Sequence, residues 1–124
     1  FHFDFKNSGA YAWNKGDNVR LATSNPLDRN SLFAAAGLSG GQLPPNTTNW
    51  LTANRVGSFA GKVNGGTLDP AATVINPGET GRFTIALDAR NVSPGTYREY
   101  FRMVADGFAW LQDYGAYAPI VVQP

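Results

Sequence analysis

Apolar residues along this chain recur every second position in several stretches, the spacing of a strand with one buried face. Phe1, Phe3 and Phe5 alternate with His2, Asp4 and Lys6. Phe83, Ile85 and Leu87 alternate with Arg82, Thr84, Ala86 and Asp88. The run from Thr96 to Val104, rich in Tyr, Phe and Val, predicts another strand. Shorter patterns predict one bent strand or two short ones over Tyr11–Trp13 and Val19–Thr23, and a short strand at Thr73–Ile75. Phe108–Leu111 continues a hairpin, and Ile120–Val122 closes the domain. Pro77-Gly78 and Pro94-Gly95 punctuate the pattern. Pro presets φ at one turn position and Gly accepts positive φ at the next, so each pair predicts a reversal between strands. The expected fold class is an all-β antiparallel sandwich forming a single domain over residues 1–124.

The pattern weakens between Ser24 and Asn54, and one long irregular loop is expected over about residues 24–54. Leu32–Gly37 could form a helical turn, too short to stand alone. Gly40-Gly41, Pro44-Pro45 and Asn46–Asn49 carry loop chemistry. Leu51–Val63 stays ambiguous between strand and loop. Within the Tyr97–Val104 strand, strict alternation sets Glu99 on the face of Phe101 and Met103. An unpaired buried carboxylate costs several kcal/mol, so a β-bulge near Arg98-Glu99, or a solvated edge position for Glu99, is expected.

Composition narrows the function classes. A chain of 124 residues with 8 Phe, 5 Tyr and 3 Trp can bury a core without covalent staples. Zero cysteines excludes disulfides, thiolate zinc sites and cysteine nucleophiles. A net charge of +1, with no run of like charge, gives no field for nucleic acid or an acidic membrane. No stretch reaches transmembrane length and the amino terminus is not signal-like, so membrane insertion is not expected.

Few residues offer catalysis. His2 is the only histidine and no serine or acid pattern lies near it. There is no G-x-S-x-G nucleophile elbow, and Gly37–Gly41 lacks the lysine of a phosphate-binding loop. Asp106 with Asp113, and Asp17 with Asp28, are carboxylate pairs beside turns, where capping explains them more simply than glycosidase chemistry or a calcium site. The expectation is a protein without catalytic, cofactor or metal residues. Trp50, Trp110, Tyr114 and Tyr117 fall in or near loops and late strands, where exposed rings could stack on sugars or anchor a partner, with core or loop packing the favoured alternative for Trp50 and Trp110. Asn46-Thr47-Thr48 and Asn91-Val92-Ser93 fit the glycosylation acceptor pattern and suggest surface loops.

Several ordered motifs together resemble the four-tryptophan (FW) immunoglobulin-like domain of selective-autophagy cargo receptors. They are Asn7-Ser8-Gly9 followed by Trp13, then Pro77-Gly78-Glu79, then Pro94-Gly95-Thr96-Tyr97 with Tyr100-Phe101-Arg102. Val19–Ser31 looks closer to bacterial surface-exposed versions. The likeness spans most of the chain outside roughly residues 32–74. It implies an immunoglobulin-like β-sandwich used as a non-catalytic interaction module, with Trp13, Phe83, Ile85, Leu87, Tyr97 and Phe101 in its core motif. Of the tryptophans that name the family, only Trp13 sits where the motif sets it. Phe3 and Phe101 take the place of two others, and Trp110 falls near the last.

The family carries a further strand ahead of the one at Phe1–Lys6. Its absence here leaves a sandwich open at one edge, with Phe1, His2 and Phe3 as the candidate exposed edge. An open edge recruits a strand from another chain. The expected role is therefore an extracellular or cell-surface structural module that binds protein partners or copies of itself, forming a filament or oligomer. Polysaccharide is the alternative ligand.

Overall fold

A computed structural model describes residues 1–16, 19–35 and 43–124. Every regular element among the described residues is a strand: β1 (His2–Lys6), β2 (Trp13–Asn14), β3 (Val19–Thr23), β4 (Trp50–Thr52), β5 (Arg55–Val56), β6 (Gly61–Asn64), β7 (Thr67–Asp69), β8 (Val74–Ile75), β9 (Thr80–Thr84), β10 (Gly95–Ala105), β11 (Ala109–Trp110) and β12 (Tyr117–Val122). One sheet runs β1-β9-β6-β7. A second runs β11-β10-β3-β5-β4, with β12 also on β10, and β2 pairs with β8. All these pairings are antiparallel. The fold is an all-β sandwich.

Alternation decides which side chains meet between the layers. Phe5 and Phe83 from the first sheet, and Leu21, Val56, Phe101 and Met103 from the second, belong to one buried cluster with Trp13 and Ile75. Phe3 reaches across to Phe101, with ring centroids 5.7 Å apart. Of the core motif, Trp13, Phe83, Ile85 and Phe101 are buried. Leu87 packs half-buried against the cluster, and half-buried Tyr97 packs edge-on to Phe33 at 5.3 Å.

Two glycines carry local geometry. In the Asn76–Glu79 turn, Gly78 has φ of 88° and Glu79 N–H donates to Asn76 C=O at 2.9 Å, as Pro-Gly chemistry predicts. At Gly61 a Cβ would sit 2.3 Å from the Asp69 carbonyl oxygen, so only glycine lets β7 approach β6. The second Pro-Gly pair behaves differently. The reversal lies upstream, where Val92 N–H donates to Ala89 C=O at 3.1 Å. Gly95 is already the first residue of β10, opposite Val122.

The 24–54 segment departs from a simple loop. It contains β4, and its Phe33, Ala35 and Trp50 are core residues. Ala34 bridges to Leu87, and Thr48 bridges in parallel to Ile85, so the segment extends the first sheet beyond Thr84. Leu32 and Phe33 form a turn; residues 36–42, which hold the end of the Leu32–Gly37 stretch and all of Gly37–Gly41, lie outside the described residues.

The same segment resolves the conflict at Glu99. The β10–β12 register runs without interruption through Arg98↔Pro119 and Glu99↔Ala118, so the expected bulge is absent. Nor is Glu99 at a solvated edge: it is 4% exposed. Its carboxylate instead forms an ion pair with Arg29 and accepts a hydrogen bond from Ser31 Oγ at 3.0 Å. Paired and hydrogen-bonded, the charge tolerates burial, and alternation is preserved.

Candidate interaction surface

Hydrogen-bond phase determines what each sheet edge offers. Phe1 and Ile85 exchange both backbone bonds, at 2.7 and 3.1 Å, and Asn7 N–H donates to Glu79 C=O at 2.8 Å. In an antiparallel ladder these narrow pairs alternate. With Phe3↔Phe83 and Phe5↔Gly81 in register, the odd residues of β1 therefore bond to β9. The N–H and C=O of His2, Asp4 and Lys6 point the other way, along an edge that no described strand covers. Side chains follow the same division. Phe3 and Phe5 turn toward the core, while His2, Asp4 and Lys6 are exposed on the outer face. Asp4 accepts a bidentate contact from Arg82, at 2.8 and 3.0 Å.

The β12 edge is built otherwise. Phe101 N–H donates to Ala116 C=O at 2.9 Å, so in the continuing register Ala118, Ile120 and Val122 bond to β10. Tyr117, Pro119 and Val121 face outward. Pro119 falls in the middle of that edge and has no N–H to offer, a common way of blunting an edge strand. β11 and β12 together form one return strand along β10. Trp110 opposes Val104 and Tyr117 opposes Tyr100, so Leu111–Ala116 bulges out against Phe101–Met103.

The four aromatic candidates separate. Trp50 does not present a stacking face: it is 2% exposed, its ring packs 6.0 Å from Phe101, and Nε1 donates to Ala86 C=O at 2.8 Å. Its loop-like neighbours hid the strand that turns it inward. Tyr114 is exposed in the return-strand bulge, 6.0 Å from Phe5. With Lys6, Trp13, Met103 and Leu111 it lines a cavity of about 190 Å³ beside the open β1 edge. Trp110 and Tyr117 share the outer face of the second sheet with the even residues of β10. Their rings are already met by guanidinium groups: Arg55 and Arg102 lie 5.3 and 5.9 Å from the Trp110 ring, and Arg98 lies 5.1 Å from Tyr117. These contacts occupy faces that a sugar would need.

The candidate carboxylates are likewise engaged. Asp106 binds Arg20 at 2.9 Å and Arg55 at 3.0 Å, and Arg55 also pairs with Asp28. Burial alone would raise the pKa of Asp106, but the hydrogen bonds from Arg20 and Arg55 outweigh it and hold the carboxyl below its usual range. Asp113 caps its own turn, accepting Gly115 N–H at 2.8 Å. Asp17 lies outside the described residues.

One feature escaped the sequence reading. A cavity of about 370 Å³ is lined by Lys15, Asn46, Thr47, Thr48, Ser58 and Phe59, among others. The hydroxyl oxygens of Thr47, Thr48 and Ser58 lie buried in its wall without a hydrogen-bond partner. No sequence signal marks them, because Thr47-Thr48 and Ser58 meet only through the chain's return at Gly57, whose N–H donates to Asn49 C=O at 2.8 Å. Asn46 and Asn91, the glycosylation candidates, are exposed.

No helix among the described residues is long and apolar enough to cross a membrane. Comparison with known proteins returns no matching family model, no matching curated protein and no matching solved structure.

Proposed function

We propose that this chain is a non-catalytic, immunoglobulin-like interaction module of a microbial cell surface, and that it engages its partner by adding an extended strand to β1. One observation carries the reading: β1 is a proline-free edge whose outward N–H and C=O groups, at His2, Asp4 and Lys6, have no neighbouring strand among the described residues. Strand addition draws affinity from main-chain hydrogen bonds and specificity from alternate side chains. The Phe1–Phe3 rings and the adjacent Tyr114 cavity offer those side chains an apolar seat.

The non-catalytic part is supported by how the candidate acids are used, with Asp28 and Asp106 tied up by arginines. Polysaccharide binding has less support, since Trp50 is core and the remaining rings of that face are capped by Arg98, Arg55 and Arg102.

The test uses extended peptides of alternating aromatic and polar residues, including one copying Phe1–Lys6, titrated into isotopically labelled protein. Amide shifts confined to β1 and its neighbours are expected. Peptides that perturb only the Trp110–Tyr117 face, or acidic and neutral polysaccharides that bind there while peptides do not, would overturn the reading.

A further inference from the structure

We infer that the strand β1 accepts is β1 of a second copy, giving a closed two-fold dimer rather than the open filament an incomplete sandwich suggests. This rests on the strand-addition reading above and adds the identity of the occupant and its register. A filament needs two different edges that fit each other, whereas one edge pairing with itself closes at two subunits. The edges are unequal in a way that disfavours the filament. β12 presents Pro119 at the centre of its outward backbone. The outermost strands at the other ends of the two sheets, β7 and β4, are three residues each. Among the described edge strands, β1 alone combines five strand residues with a proline-free outward face.

Antiparallel self-pairing must set outward residues opposite outward residues, which leaves even against even. Placing Asp4 opposite Asp4 sets like charges in contact and puts His2 against Lys6, which is destabilising. Placing Asp4 opposite Lys6 carries the ribbon into Asn7 and Ser8, past the end of β1. There Asn7 is committed to Tyr11 and Ile75 carbonyls at 2.8 and 3.0 Å. Placing His2 opposite Asp4 of the other copy keeps both hydrogen-bonded pairs within β1. The imidazole of each His2 then faces the carboxylate of the other Asp4, on the lone-pair side left by its Arg82 contact.

On the core-side face this register sets Phe3 against its own copy and Phe1 against Phe5. Phe1, 52% exposed, gains cover. The alternation of Phe with His and Asp is thus self-complementary in one register. Pairing would join the two four-stranded sheets into one continuous sheet. A ribbon this short buries less than the roughly 1,200–2,000 Å² of a stable interface, so the dimer is weak, with a Kd on the order of 0.1–1 mM.

Sedimentation equilibrium of the 124-residue chain from about 10 µM to about 1 mM tests this. A monomer–dimer equilibrium is expected. His2→Pro removes only an outward N–H, reproducing on β1 what Pro119 does on β12, and should weaken the dimer at least tenfold. His2→Asp, which sets carboxylates opposite each other, should do the same, while Val121→Lys on β12 should change nothing.

Register has its own readout, because the chain has no cysteine. Phe3 would be a non-hydrogen-bonded pair with itself, close enough for a disulfide. Phe3→Cys should therefore cross-link under mild oxidation, and Lys6→Cys should not. A chain that stays monomeric throughout, masses beyond dimer, or association weakened by Val121→Lys rather than His2→Pro would each overturn the inference. If the chain is monomeric while the Phe1–Lys6 peptide still shifts the β1 amides, strand addition stands and only self-pairing falls.

Discussion

The stretch from Glu79 to Ala105 and the stretch from Ser24 to Asn54 look opposite in sequence and serve the same core. The first has period-two alternation and two long strands, and its Phe83, Phe101 and Met103 lie buried between the sheets. The second has Gly, Pro and Asn punctuation and little regular structure, yet Phe33, Ala35 and Trp50 are as buried. It also supplies Arg29 and Ser31 to the one carboxylate the alternation forces inward. An irregular backbone can be integral when its side chains and N–H groups find partners in the sheets. Thr48 N–H does so on Thr84 C=O at 2.5 Å.

The comparison breaks if the two stretches differ in energetic weight. Phe83→Ala and Trp50→Ala should each destabilise by about 3–5 kcal/mol in denaturant unfolding, since both delete a large core ring. A Trp50→Ala cost under about 1 kcal/mol would mark the segment as a surface appendage. Arg29→Ala should be nearly as severe, about 3 kcal/mol or more, because it strands the buried Glu99 charge. Adding Glu99→Gln to that variant should recover part of the loss, a coupling that a surface ion pair would not show.

Asp106→Asn should cost less, about 1–2 kcal/mol, since the Arg20–Asp106–Arg55 bridge is partly solvated. The pH sign follows from its lowered pKa. The stabilisation is present above the carboxyl's unfolded value and is lost as pH falls through the folded one. Wild type and Asp106→Asn should therefore converge in stability on acidification, as read by thermal unfolding across pH. The smallest expected effect has the opposite direction. Thr48→Val removes a buried hydroxyl without a partner and keeps the β-branch, so it should stabilise by about 1 kcal/mol.

Much of the fold was legible because strand periodicity and turn chemistry are local. Phe83 and Ile85 point inward as their spacing requires, and Asn76–Glu79 turns as Pro-Gly predicts. For Trp50 the sequence left stacking open beside packing because it follows Asn46–Asn49, which reads as loop. Its burial comes from β5 and from Ala86, 36 residues away. At Glu99 the alternation was right and the escape from it was wrong, since no local signal couples a carboxylate in a strand to Arg29. The candidate surface was half legible. Of the expected Phe1, His2 and Phe3 edge only His2 keeps outward backbone groups, because Phe1 bonds to Ile85 and Phe3 to β9, and the aromatic set was scattered by packing.

By itself the sequence determined the period of each strand, and hence which side chains share a face. It also determined the absence of thiol chemistry. Only the tertiary structure decided which backbone groups stay open, because that depends on which strand lies alongside and in what hydrogen-bond phase. A proline in β12 and a histidine in β1 look equally ordinary along the chain. They differ once the neighbouring strand fixes that both point outward, where one lacks a donor and the other keeps it.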